Sequence, residues 1–293
     1  KKIIQNLQDI LLMMDWNEQH GIKVFRLSSE LFPHKSNPQA PYYSYDFAIP
    51  LMKQIGEKSK QLKQRLTFHP GQYNVVGTPN RDIFNKTIYD LKYHADVLDY
   101  MELGNDSVIV IHGGGVYGNK KETIKRWCKQ FKELPENVQR RLVLENCEKN
   151  FSIIDCLEVS EIINIPVVFD THHYSCYKIL HPDEKFQEPE FYMEAILETW
   201  KKRQIKPKFH VSEQGAGKCG HHSDFIEVIP EYLLEIPKKF NCNIDIMIEA
   251  KMKEQAILKL YNKYPELDCR IDKRKIPIAM QWATKRYLNC DCC

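Results

Sequence analysis

Leu66-Thr67-Phe68-His69-Pro70-Gly71-Gln72-Tyr73 is the stretch on which the fold turns. Leu66 to Phe68 is a short apolar, β-prone run that Pro70 and Gly71 stop directly after His69, placing an imidazole at the carboxyl end of a strand. The arrangement recurs along the chain. Ser107 to Ile111 leads into His112 and three glycines, Leu142 to Leu144 into Glu145, and Val167 to Phe169 into Asp170 with His172 and His173 behind it. Lys208 to Val211 carries His210, and Asp245 to Ile248 leads into Glu249. Strands that end on acid/base or metal-ligand residues, each followed by a helix, predict an α/β barrel of the TIM (β/α)8 type with its chemistry on one rim.

Between these strands the apolar residues return at helical spacing. Ile3, Ile4, Leu7, Ile10, Leu11 and Met14 predict a helix over Lys1 to His20 that Gly21 ends. Lys23 to Leu27 then forms a strand opening into Arg26, Ser28, Ser29 and a loop through Pro33, His34 and Asn37. Further helices are predicted over Asp46 to Leu62, from Ile83 through Leu98, and over Lys120 to Phe131, Ser152 to Ile163 and Phe191 to Lys202. Another should begin near Ser223, and the last should end near Tyr264. After Asp170 a long exit loop is expected, holding His181, Pro182 and Pro189, and the loop after Val211 is the richest in glycine. Strict βα alternation implies parallel strands. Seven strands can be counted where a complete barrel has eight. A helix comes first, so the expectation is that the barrel's first strand is missing from this chain.

At 293 residues the chain suits one large core, since such barrels use about 250 residues as one domain. The predicted division is a barrel over residues 1–265 and a basic, cysteine-containing extension over 266–293. A hydrophobic content of 43% is ordinary for a globular protein, and no apolar run approaches the roughly 20 residues a membrane span needs. A net charge of +3 is compatible with nucleic acid without requiring it. Ten cysteines without a CxxC pair in the body point to reduced thiols. An intracellular protein of cytoplasm or nucleus is expected, not secreted and not membrane-bound. Cys290, Cys292 and Cys293 could form a surface redox or metal clip, or simply a frayed end.

Neutral imidazoles mixed with carboxylates suit divalent transition metals such as Mn²⁺ or Zn²⁺, whereas all-oxygen sites suit Mg²⁺ or Ca²⁺. His69, His112, Glu145, Asp170, His173, His210, His222 and Glu249 are more ligands than one ion needs, so two or three ions are expected. Closely spaced ions can activate a water and stabilise the entering and leaving oxygens of a phosphoryl displacement. The pattern alone therefore favours either metal-assisted phosphodiester cleavage or a metal-dependent sugar isomerisation.

A more specific reading comes from motifs taken in order. These are Phe25-Arg26-Leu27-Ser28-Ser29 with Leu31-Phe32-Pro33, His69-Pro70-Gly71-Gln72-Tyr73, His112-Gly113-Gly114, Leu144-Glu145-Asn146, and Phe169-Asp170 with His172-His173. Lys208-Phe209-His210-Val211-Ser212, His222-Ser223-Asp224 and Ile248-Glu249-Ala250-Lys251 complete the series. In this order they make the chain resemble the ultraviolet damage endonuclease family, a relative of the endonuclease IV barrels, from about Lys1 to Tyr264.

The resemblance implies a DNA repair endonuclease that cuts the backbone immediately 5′ to ultraviolet photoproducts and other damaged bases, leaving a 3′-hydroxyl and a 5′-phosphate. It implies two or three divalent ions, Mn²⁺ first with Zn²⁺ or Mg²⁺ as alternatives, on His69, His112, Glu145, Asp170, His173, His210, His222 and Glu249. Glu145 would bridge two of them. Lys208 would be catalytic beside the metals as a carbamate, or else an ordinary barrel lysine. Gln72 and Tyr73 would enter the duplex opposite the lesion, where a tyrosine fills vacated stacking space and a glutamine bonds exposed base edges. Arg26 and Lys251 would contact phosphates or form barrel ion pairs, and Gly113 to Gly115 would let backbone approach DNA or simply turn. The implied partner is damaged double-stranded DNA, bound by a monomer without a small-molecule cofactor. A further metal-site histidine falls at His34 or Asn37, and of the adjacent His221 and His222 the latter matches. A sugar isomerase of the same barrel class and a damage-binding protein without catalysis are the competing readings.

Overall fold

Each short apolar run lies parallel to the next, because a helix returns the chain to the same end of the sheet between them. The computed structural model describes residues 1–270. Its first half runs α1 (Lys2–Gln19), β1 (Val24–Arg26), α2 (Ile49–Leu62), β2 (Arg65–Thr67), α3 (Arg81–Tyr100), β3 (Ile109–His112), α4 (Lys120–Phe131), α5 (Glu136–Gln139) and β4 (Leu142–Glu145). The second half runs α6 (Ile153–Ile163), β5 (Val167–Val168), α7 (Thr171–Leu180), α8 (Met193–Lys201), β6 (Lys208–Val211), α9 (Glu231–Leu234), α10 (Ile236–Lys239), β7 (Asp245–Ile248) and α11 (Lys253–Lys263).

Parallel ladders join β1 to β2, β3 to β4 to β5, and β6 to β7. Single parallel bridges, Phe68 with Ile109 and Asp170 with His210, link the three ladders, so the strands follow one another in sequence order. The β3/β4 register sets His112 directly beside Glu145. Leu66, Phe68, Val110, Leu144, Phe169 and Phe209 are buried along these strands. No helix among the described residues is long and apolar enough to cross a membrane.

Among the described residues the strand count holds, and the ring has one opening. In the β1/β2 ladder Arg65 donates to Lys23 and Leu27 to Thr67, so Val24 and Arg26 turn their backbone groups the other way. In the β6/β7 ladder Asp245 donates to Pro207 and Glu249 to Val211, so Ile246 and Ile248 also turn outward. A cavity of about 840 Å³, lined by Ile10, Trp16, Asn17, Phe25, Leu27 and Ile248 among others, separates these two edges. Among the described residues no strand bridges them.

Two sequence-based expectations fail for local reasons. The first part of the long loop expected after Asp170 is a helix, α7, because the Asp170 carboxylate caps the backbone N–H groups of His172 and His173; residues 181–188 are loop as expected. The helix expected from Ser223 is absent. Glu213 accepts from the N–H groups of Glu227 and Val228, holding that segment in a non-helical path until Pro230 starts α9. The extension predicted from residue 266 begins inside the described part, where Arg270 donates to the Gln19 carbonyl. Cys290, Cys292 and Cys293 lie outside the described residues.

Gly56 lets α2 pack against the end of α3: a Cβ there would fall on the Met101 carbonyl oxygen. In an isolated helix Gly→Ala gains about 1 kcal/mol. Here Gly56→Ala is expected to destabilise the fold by about 1–3 kcal/mol through overpacking, measured by urea unfolding. A neutral or stabilising result would contradict the close approach of the two helices.

Candidate metal centre

Glu145 is the last residue of β4 and is fully buried, so its charge must be met by neighbours rather than water. Its Oε2 lies 2.8 Å from His69 Nε2 and 3.2 Å from His112 Nε2. Its Oε1 lies 2.8 Å from His210 Nδ1 and 3.6 Å from His173 Nδ1. These imidazoles come from the ends of β2, β3 and β6 and from the first turn of α7. Glu249, just past β7, places Oε1 3.2 Å from His210 Nδ1 and 2.6 Å from Arg26 Nη1.

Three overlapping groups have donor atoms close enough to share an ion: His69, His112 and Glu145; His69, His210 and Glu249; Glu145, Asp170 and His173. The chemistry of the donors fits divalent metals, being imidazole nitrogen and carboxylate oxygen. Two contacts fit them more closely. His112 Nε2 is buried and makes no hydrogen bond despite facing the Glu145 carboxylate. His69 Nδ1 lies 3.3 Å from the Pro70 carbonyl; with its proton there, Nε2 and Glu145 Oε2 become two acceptors facing each other at 2.8 Å. A shared cation resolves that opposition.

The electrostatics follow from burial. Desolvation pushes Glu145 up, but His210, His112 and His69 outweigh it and hold the carboxyl well below its ordinary value. Glu249 is likewise opposed by burial, yet His210 and Arg26 bring it down to about 2. Burial raises Asp170 to about 6, against the attraction of His173. His210 is lowered to about 4 by burial and is a neutral imidazole near pH 7. Its Nε2 lies 2.6 Å from Lys208 Nζ, whose own value burial lowers to about 7. Both residues are fully buried.

Of the expected ligands, His69, His112, Glu145, Asp170, His173, His210 and Glu249 fall into these three groups. His222 does not, although its Nδ1 stands 4.0 Å from Glu249 Oε2. Arg26 is ion-paired to Glu249, and Lys251 approaches Asp224 at 3.7 Å. His34 takes a left-handed backbone, φ 59°, and its carbonyl accepts from the Asn37 N–H at 3.0 Å. Neither His34 nor Asn37 joins a group. Gln72 and Tyr73 project from the loop after His69, with Tyr73 66% exposed. The loop is anchored behind them, where Asn74 Nδ2 donates to the Gly71 carbonyl and to Asp90 Oδ2.

Two positioning residues carried no role in the sequence reading. The Asn146 side chain accepts from the Asp170 N–H at 2.9 Å and donates to the Asp170 carbonyl at 3.1 Å, while the Asn146 carbonyl lies 3.1 Å from His173 Nδ1. Ser212 Oγ lies 3.3 and 3.4 Å from the two Asp170 carboxylate oxygens. Both stand in motifs of the resemblance, but the sequence gives neither a role, because each acts across strands.

The family model described as UV-endonuclease UvdE matches residues 2–282. The chain belongs to the UV-endonuclease family. A relative in Acanthamoeba polyphaga mimivirus is 40% identical over 277 residues, covering 93% of this chain and 82% of its own length. The UV DNA damage endonuclease of Bacillus cereus (strain B4264) is 33% identical over 284 residues, covering 96% of this chain and 86% of its own. The crystal structure of SacUVDE superposes with a TM-score of 0.79 at 33% identity, covering 91% of this chain and 88% of that one. The expected family, barrel class and endonuclease activity are borne out, and with them the hydrolase class.

Because Asn146 holds Asp170 from behind, Asn146→Ala is expected to weaken divalent-metal binding by about 10–100-fold, the usual cost of losing an outer-shell partner. Calorimetric titration measures it. Unchanged affinity would mean that backbone alone holds Asp170 in place.

Proposed function

We propose that the chain cuts one strand of duplex DNA immediately 5′ to an ultraviolet-damaged base, breaking the bond between phosphorus and the 3′-oxygen so that a 3′-hydroxyl and a 5′-phosphate remain. It acts inside the cell as a monomer, with two or three divalent ions and Mn²⁺ first among them. The observation that carries this reading is a buried carboxylate shared by imidazoles from several strands, with the exposed Gln72 and Tyr73 on the loop that starts at one of them.

His69, His112, Glu145, Asp170, His173, His210 and Glu249 would hold the ions, with His222 beside Glu249. Bound there, divalent ions supply Lewis acidity toward the attacking and leaving oxygens of an in-line displacement. The residues of the chain do the rest. Asn146 fixes the Asp170 backbone, Ser212 its carboxylate, and Arg26 fixes Glu249. Lys208 orients His210 through Nε2. Its lowered value leaves an appreciable fraction of neutral amine near pH 7, the form that takes up carbon dioxide as a carbamate. Tyr73 offers an exposed ring to the stacking space left by a displaced base, and Gln72 offers both donor and acceptor to base edges. A damaged step costs less to unstack than an intact one, which gives the pair its selectivity.

On an end-labelled duplex with one photoproduct, Mn²⁺-dependent cutting just 5′ to the lesion is expected, lost on chelation and lost in Glu145→Gln. A Glu145→Gln variant that binds damaged duplex but still cuts would overturn the metal-centred reading. Binding without cutting by the wild-type, metal-loaded chain would select the damage-binding alternative.

Tyr73→Ala separates recognition from chemistry. Stacking is worth about 1–3 kcal/mol per base, so the variant is expected to lose roughly 5- to 150-fold of its preference for damaged over intact duplex. Mn²⁺ affinity should stay unchanged. Preference retained in full would place the sensing elsewhere.

A further inference from the structure

Cys176 and Cys219 form a second cluster, close to the metal centre but outside its ligand set. Cys176 lies on α7, one turn after His172, and is buried, with Sγ 3.5 Å from His172 Nε2. Cys219 is part-exposed on the glycine-rich loop that leads to His222. Gln214 Oε1 draws the two together: it lies 3.9 Å from Cys176 Sγ and accepts from the Gly220 N–H at 3.0 Å. Gly220 directly follows Cys219, so that junction sets the Cys219 end of the loop against the helix that carries Cys176. The loop is otherwise bonded mainly to itself, through the Gln214–His222 bridge and Gln214 Nε2, which donates to the Gly215 and Lys218 carbonyls.

We propose that Cys176 and Cys219 are a redox modification site, a thiol pair that a peroxide converts to a reversible disulfide, tying the His222 loop to the helix that carries His173. The steps balance. The Cys219 thiolate attacks the peroxide; a sulfur–oxygen bond forms, the oxygen–oxygen bond breaks, and the departing hydroxide is protonated to water. Cys176 sulfur then attacks Cys219 Sγ; the disulfide forms, the sulfur–oxygen bond breaks, and the Cys176 proton leaves with that oxygen as a second water. Two thiols lose two electrons and the peroxide gains them. The order follows from exposure, since Cys219 meets solvent and Cys176 does not.

The test reads thiols rather than incision, so its failure is distinct from failure of the nuclease reading. The full chain, oxidised with hydrogen peroxide, is alkylated and digested without reductant, then analysed by mass spectrometry. A peptide pair joining 176 to 219, lighter by two hydrogens, reversed by dithiothreitol and absent in Cys219→Ser, is expected. Tryptic cleavage after Lys218 in the native protein should be lost on oxidation and restored by reduction, and Cys219→Ser should be cleaved whether or not peroxide was added. Cys219 over-oxidised while Cys176 stays free, or Cys219 joined to any other cysteine, would overturn the proposal.

Discussion

Burying the Glu145 carboxylate is the constraint on which the site depends. An ionised carboxylate withdrawn from water costs several kcal/mol unless its oxygens are engaged, and a barrel interior offers little water to engage them. The chain meets that cost with imidazoles from three strand ends and one helix start, arranged around both carboxylate oxygens. Two of these imidazoles have the other nitrogen held, His69 by the Pro70 carbonyl and His210 by Lys208, while His173 Nδ1 faces the Asn146 carbonyl as well as Glu145. The polar network therefore reaches outward from one atom pair into the strands themselves.

The same network explains why the rim tolerates an open ring. The strands from β2 to β6 that carry most of the donors are joined by ladders and bridges, while the opening falls between β1 and β7. Across that opening the two edges are tied on the rim by the Arg26–Glu249 ion pair rather than by backbone bonds. A side-chain contact so closes the circle on the rim, and both of its residues line the cavity between the two edges.

Much of this was legible because strand ends announce themselves. An apolar run stopped by Pro-Gly, or by a cluster of glycines, fixes which residue faces the rim, and His69 and His112 follow directly. Helix α7 was hidden because Thr171 to Leu180 is rich in aromatic and β-branched residues, and its start depends on a capping carboxylate that looked like a ligand alone. The segment after His222 misled in the opposite direction. Its local spacing suits a helix, but Glu213, from the loop before it, takes the N–H groups a helix would have used. Asn146 and Ser212 were illegible for the same reason, since their meaning lies wholly in partners distant along the chain.

The loop after β2 holds His69 in the metal centre and presents Gln72 and Tyr73 three and four residues later, with Asn74 clamped behind them. If Gln72 and Tyr73 sense the base as proposed, probe and blade are mounted on one short arm. Such an arm would work as a ruler: the distance from the sensed base to the cut phosphate would be set by a few peptide units and not by the lesion's own shape. An enzyme built this way would accept chemically unlike lesions and still cut each of them at the same offset.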